Sequence, residues 1–171
     1  RLRCPDGEGE LTDGEALGNL MAALVVSICL ELAEVGAHFS VENPDTSYLW
    51  TSSWMLDLCA KVKVFEAKFD QCAYGLKLPP FNRADFCKKG TIIWSTSHRI
   101  GSLRLSCPGT SATHKHVHPL GSVRYKNQTI ALSRAAGAYP PSLCLELARV
   151  VIECKSHKER SHKNALHDAN H

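Results

Sequence analysis

The order of apolar patterns along the chain predicts an α/β fold: part of an open sheet, flanked by helices, with an irregular Cys/His-containing segment towards the C-terminal side. Three observations predict it. A long apolar helical pattern precedes a short alternating strand, two more strand-like runs follow across a helix and a proline-containing loop, and a proline-led helical pattern closes the body. With 171 residues, 44% hydrophobic and 22% charged, the chain can bury a core, which excludes a coiled-coil or collagen-like fibre and disorder throughout.

Residues 1–11 read as a polar N-terminal segment, and residues 12–154 as the folded body. Thr12-Asp13-Gly14-Glu15 has the form of a capping box, with Thr12 closing the first turn and Glu15 reaching back. Leu17, Leu20, Met21, Leu24, Val25, Ile28, Leu32 and Val35 then recur at helical spacing, and Gly36 stands where a left-handed cap ends a helix. Residues 37–42 alternate as a strand, Phe39 and Val41 to one side, stopped by Asn43-Pro44. A less regular helix is expected over Ser47 to Cys59. Val62, Val64, Ala67 and Phe69 mark a second strand, and Thr91 to Thr96 a third, with Gly75 to Lys89 as a loop between them.

His98 to Leu105 reads as a short helix, followed by irregular Gly/Ser/His-rich chain to about Gly137. Tyr139-Pro140-Pro141 leads into a helix carrying Leu143, Leu147, Val150 and Val151, with proline in its first turn. Residues 155–171, charged, His-rich and without periodicity, are expected to be disordered.

The net charge of +3 falls close to balance outside residues 155–171, where 16 basic residues face 15 acidic ones, so charge alone does not mark a nucleic-acid binder. The longest apolar run, Leu20 to Leu30, is 11 residues, short of the roughly 20 needed to cross a bilayer, so neither a span nor a membrane partner is expected. Eight widely spaced cysteines, three of them in helical text, read as reduced thiols in an intracellular compartment, nuclear or cytoplasmic. The sequon Asn127-Gln128-Thr129 then carries no meaning. The chain opens on Arg1 without a basic-then-apolar leader, which suggests an internal piece of a longer protein whose N-terminal half would be a partner of this one.

Ligands of open α/β sheets sit at the carboxyl ends of strands, and Glu42-Asn43-Pro44 occupies that place. Three such residues alone are more often a solvated strand end and a turn. Two further segments add to them: Phe69-Asp70-Gln71-Cys72-Ala73-Tyr74-Gly75, and Cys87-Lys88-Lys89-Gly90-Thr91-Ile92-Ile93-Trp94. With these the chain resembles the cytosine-C5 DNA methyltransferases, which carry Glu-Asn at a strand end, then a strand leading to a Tyr-Gly or Phe-Gly turn, then a basic pair entering the next strand. Phage-type and retroelement-associated members, with Glu-Asn-Pro followed by Ser-x-Leu-Trp, are matched by Ser47-Tyr48-Leu49-Trp50. Gly137 to Leu143 resembles the family's last motif, Gly-Asn-x-Val-Pro-Pro-x-Leu, with Ala138 in place of its Asn.

The resemblance implies a Rossmann-like methyltransferase sheet, DNA as partner and S-adenosylmethionine as cofactor. It also implies roles. Glu42 would be the catalytic carboxyl that holds N3 and the exocyclic amine of a flipped-out cytosine. Asn43 and Pro44 would shape the pocket, Tyr74 and Gly75 would form the turn beneath it, and Lys88, Lys89 and Thr91 would face the phosphate backbone or a neighbouring loop. The family's nucleophile belongs to a Pro-Cys dipeptide upstream of Glu-Asn, whereas here Cys4 precedes its proline and Cys29 lies within the helix. No Phe-x-Gly-x-Gly turn for the methyl donor occurs in the chain. The sequence therefore reads as inactive in this form, either a C-terminal half whose N-terminal half was left out or a degenerate relic.

A second constellation is Cys107 with His114 and His116, followed by His118, and with Cys72 and Cys87 as further thiols that folding could bring near. Thiolate and neutral imidazole are zinc's usual ligands, and His114 and His116 in extended chain share a face. The spacing is that of no standard finger, and a basic surface loop is the preferred reading, zinc the alternative. A non-enzymatic nucleic-acid-binding module of a mobile element is the competing functional class. Trp50 and Trp54 are expected to pack rather than to stack on bases.

Overall fold

The computed structural model describes residues 11–78 and 85–168, with side chains as far as residue 155. The polar opening segment lies outside the described residues up to residue 10. The chain is mixed α/β, with small sheets and several helices. It forms two compact units: residues up to Glu66 together with Ile92–His98, and Ala67–Thr91 together with the chain from Arg99 on.

In the first unit, α1 (Asp13–Glu34) starts on the expected capping box: the Glu15 amide donates to Thr12 Oγ1 at 3.3 Å, and the Thr12 amide donates to Glu15 Oε2 at 2.9 Å. Gly36, at φ +65°, ends it in the left-handed region. Its buried face is not the expected one. Val26 and Cys29 are buried, with Val25, Leu30, Leu32 and Ala33 packed beside them, whereas Leu17, Leu20, Met21, Leu24, Ile28 and Val35 are exposed. A helix apolar on nearly every side has no single face for periodicity to pick out. By length and composition α1, with a mean hydropathy of 2.0 over 18 residues, is also long and apolar enough to cross a membrane, which the 11-residue run understates.

Strand β1 (Ser40–Pro44) begins later than expected and continues through Asn43 to Pro44. Proline is tolerated there because β1 is an edge strand. Phe39 ahead of it is tied to Thr96 by both backbone and side chain, the Thr96 amide donating to the Phe39 carbonyl at 3.3 Å and Thr96 Oγ1 accepting from the Phe39 amide at 3.2 Å. The expected helix from Ser47 is broken in two, a 3-10 turn (Tyr48–Thr51) and α2 (Ser53–Lys61). Ser52 divides them: its Oγ donates to the Leu49 carbonyl at 2.8 Å and caps α2 by accepting from the Met55 amide at 3.4 Å. Met55 and Leu58 are fully buried among Val26, Phe39, Val41 and Trp50. Trp50 is a packing residue, as expected, 5.1 Å from the Trp94 ring and donating its indole N–H to the Pro44 carbonyl at 2.8 Å.

Strand β2 (Phe65–Asp70) starts after Val62 and Val64 and buries Ala67 and Phe69. After β3 (Phe86–Cys87), which lies in the segment expected to be all loop, β4 (Gly90–Ser95) follows. The three expected strands form one sheet in the order β1-β4-β2.

In the second unit, His98–Leu103 is a 3-10 turn rather than a longer helix. The chain expected to be irregular contains three strands. β5 (His116–Val117) pairs in parallel with β3, and β6 (Ser122–Tyr125) pairs with β7 (Gln128–Ala131) as an antiparallel hairpin in which Val123 faces Ile130. Lys126 and Asn127 make its two-residue turn at φ 46° and 62°. A short α3 (Leu132–Ala135) then precedes α4 (Pro141–Asp168), which starts on proline as expected. Helix α4 runs on through the segment expected to be disordered, because Lys, Glu, Arg, Ala and Leu there favour helix more than the missing apolar stripe opposes it. Leu76, Leu78, Cys87, Leu132 and Ala136 form a core of this unit.

Candidate functional site

Two constellations emerge, one in each unit. In the first, β1 carries Glu42 and Asn43 to the wall of a cavity of about 380 Å³. Gly18, Asn19, Ala22 and Val25 of α1 line one side, and Ser47, Tyr48, Ser52 and Trp54 another. Glu42 also borders a second groove, of about 330 Å³, with Ile28, Leu32 and Phe39. Glu42 Oε1 is shielded from solvent and has no hydrogen-bond partner among the described residues. A buried acceptor left unmatched is costly and rare, which sets Glu42 apart from the other residues that line the cavity. Pro44 is exposed, and its carbonyl is occupied by the Trp50 indole and the Ser47 amide.

The remaining residues of the expected substrate set belong to the second unit. Gly75, at φ +86°, sits in the turn after β2, where a side chain would be strained. Tyr74 is built into the fold: its hydroxyl donates to the Leu103 carbonyl at 2.8 Å, its ring meets Phe69 edge-on, and its carbonyl accepts from Ser142. Burial, and then the Glu146 carboxylate, push its phenol up and keep it neutral. Lys88 is exposed, and Lys89 lies with Nζ 6.0 Å from the Tyr139 ring centroid. Thr91 corrects the expectation. It is fully buried, its Oγ1 accepting from Gln71 Nε2 at 2.9 Å, and it cannot meet a phosphate.

The second constellation gathers Cys72, Cys107, His114 and His116, whose ligand atoms all lie within 4.8 Å of one another. Cys72 lies in the turn that closes β2, two residues past Asp70, whose amide donates to the Leu105 carbonyl at 3.0 Å. That bond brings Cys107 alongside. Asp70 Oδ2 accepts from the Cys107 amide at 2.9 Å, and the Gly109 amide donates to Cys107 Sγ at 3.3 Å. His116 is set by β5, its Nδ1 is 3.2 Å from Thr110 Oγ1, and the Phe86 ring stacks on His114 with centroids 4.2 Å apart. Cys107 Sγ is 3.3 Å from His116 Nε2 and 3.6 Å from His114 Nε2. Desolvation first, and then the neighbouring Cys107 and Asp70, push the Cys72 thiol up to about 12.

Cys87, the other thiol considered for this group, is instead fully buried in the core of the unit, and His118 is exposed. Among upstream thiols, Cys29 is buried within α1 and desolvation raises its pKa, the opposite of an activated nucleophile, while Cys4 lies outside the described residues. No protein-family model, no curated protein and no solved structure matches the chain.

Proposed function

We propose that the chain is the base-recognising C-terminal half of a cytosine-C5-methyltransferase-like domain, with Glu42 as the group that reads the ring. The observation that carries this reading is the buried, unpartnered Oε1 of Glu42, a residue in the middle of β1 rather than at its end, which lines a cavity large enough for one planar base. A second observation supports it. The three segments on which the resemblance rests supply the three strands of one sheet: Glu42-Asn43-Pro44 in β1, the approach to Tyr74-Gly75 in β2, and the strand entered from Lys88-Lys89 in β4. A Rossmann-like parent sheet is the architecture that this reading requires.

The chemistry follows from the donor and acceptor inventory. Cytosine presents a donor at its exocyclic amine and an acceptor at N3, so a carboxyl that carries one proton pairs with both. Uracil reverses both groups, but a protonated carboxyl, with one donor and one acceptor, matches it as well with the proton on the other oxygen. Asn43, Ser47 and Tyr48, which also line the cavity, are the further polar residues available to a bound base. S-adenosylmethionine would bring the methyl group. The chain has no Phe-x-Gly-x-Gly segment, and Ala138 replaces the motif's Asn, so its residues do not fit that cofactor and no methyl-transfer step is derived from them.

The test is an NMR titration of the protein with 2′-deoxycytidine and N4,N4-dimethyl-2′-deoxycytidine, which lacks the amine donor, at slightly acidic pH. Weak saturable binding of deoxycytidine, with shifts centred on Glu42, Asn43 and Tyr48, and at least tenfold weaker binding of the dimethyl analogue are expected. Equal responses to both nucleosides, or shifts away from β1, would overturn the reading.

A further inference from the structure

We propose that Cys72, Cys107, His114 and His116 bind one zinc ion, which acts as a structural clamp in the second unit. The inference uses none of the residues of the Glu42 cavity and stands independently of it. Four ligands of the kinds that zinc prefers, two thiols and two imidazoles, converge from the turn after β2, the chain after the His98–Leu103 turn, and β5.

Two of the distances already match one coordination sphere, and the rest of the set, within 4.8 Å, would have to contract by up to about 1 Å around the ion. Zinc–sulfur and zinc–nitrogen bonds of about 2.3 and 2.0 Å put tetrahedral ligand atoms about 3.3–3.8 Å apart. The Cys107 to His116 and His114 separations, 3.3 and 3.6 Å, fall within that interval, and the full set closes to within 4.8 Å. The mixed sulfur and nitrogen set selects zinc over magnesium or calcium, which take oxygen, and over iron–sulfur clusters, which take four thiolates in most cases.

Supporting groups are already in place around these ligands. Thr110 holds Nδ1 of His116, leaving Nε2 towards the cluster, as outer partners of metal-bound histidines do. The Gly109 amide donates to Cys107 Sγ and holds it in place, and Phe86 fixes the plane of His114. Four protein ligands fill a tetrahedron and leave no position for water or substrate, which makes the ion structural rather than catalytic. Its effect is to cross-link segments up to 44 residues apart in a unit whose described strand segments are only two to four residues long.

Elemental analysis of the reduced, desalted full chain tests this, with cobalt(II) titration of metal-stripped protein as a second readout. One zinc per chain is expected, together with a sulfur-to-cobalt charge-transfer band and the visible bands of a tetrahedral ion. Cys107→Ser and His116→Ala should each lower zinc affinity by at least tenfold, whereas Cys144→Ser and His118→Ala, which alter exposed residues outside the cluster, should retain one zinc. Should the metal-site variants fail to fold, chelation and readdition on the wild type must still remove and restore the cobalt-like signature. Metal-free protein with four freely reactive groups, a Cys72–Cys107 disulfide found by mass spectrometry under reducing purification, or octahedral cobalt without sulfur ligation would overturn the proposal.

Discussion

Single side chains decide where this molecule departs from a simple reading of its pattern. Thr91 stands next to a lysine pair and looks like a surface hydroxyl, yet folding places it in the interior, where Gln71 Nε2 donates to it while Gln71 Oε1 stays without a partner among the described residues. Thr91→Val should therefore cost about 1–3 kcal/mol, because it leaves both ends of a buried amide unmatched. Adding Gln71→Met should recover most of that loss, since apolar groups of similar size then fill the space. Urea denaturation of the two variants checks it, and a double variant no more stable than the single would contradict it. The part of the candidate sites that was legible at this scale is Glu42, Asn43, Cys107, His114 and His116, because each stands in a short motif whose chemistry needs no tertiary knowledge. Cys72 was visible only as one thiol among several. Its membership depends on the bond from the Asp70 amide to Leu105, a contact across 35 residues that no local pattern encodes.

Among elements, capping chemistry was the most readable signal and apolar periodicity the less reliable one. Thr12, Glu15, Gly36 and Pro141 mark helix ends because each satisfies a local backbone requirement, and they do so in the structure. The core-facing side of α1 was misread because nearly every side of that helix is apolar. The β6–β7 hairpin was missed for a different reason: its turn is Lys126-Asn127 rather than the Asn-Gly or Asp-Gly pair that signals such turns. Its alternation, Val123 and Tyr125 against Gln128 and Ile130, is nonetheless present in the sequence. Asn127 tolerates its φ of 62° because a short amide side chain is among the few that populate the left-handed region. Asn127→Val should destabilise the hairpin by about 1–2 kcal/mol, measured as a lowered melting temperature and faster hydrogen exchange at Val123 and Ile130. Unchanged protection at those amides would show that the turn does not hold the register.

For the whole molecule, the class of fold was legible and the long-range arrangement was not. The α/β order and the three strands follow from local pattern, whereas the insertion of β4 between β1 and β2, and the division into two compact units, arise from pairings far apart in the chain. The functional account rests on the cavity of the first unit and on one proton. An ionised carboxyl is acceptor-only, and so is cytosine N3, so the bidentate pair with Glu42 forms only if one proton is taken up on binding. Among the residues lining the cavity, Tyr48 is the only other titratable group, and no Lys, Arg or His is there to supply a compensating charge. The sign follows: proton uptake favours the complex at low pH, and affinity falls as pH rises, by about tenfold per unit wherever the free carboxyl and free base are both unprotonated. Glu42→Gln replaces the shared proton by a permanent amide donor and should remove the dependence while keeping the contact.

The most direct measurement is accordingly the affinity for 2′-deoxycytidine between slightly acidic and slightly basic pH, wild type against Glu42→Gln, followed by NMR. The account predicts a wild-type affinity that declines steadily with rising pH and a variant that binds with nearly constant affinity. Parallel profiles for the two proteins, or binding by neither, would contradict it.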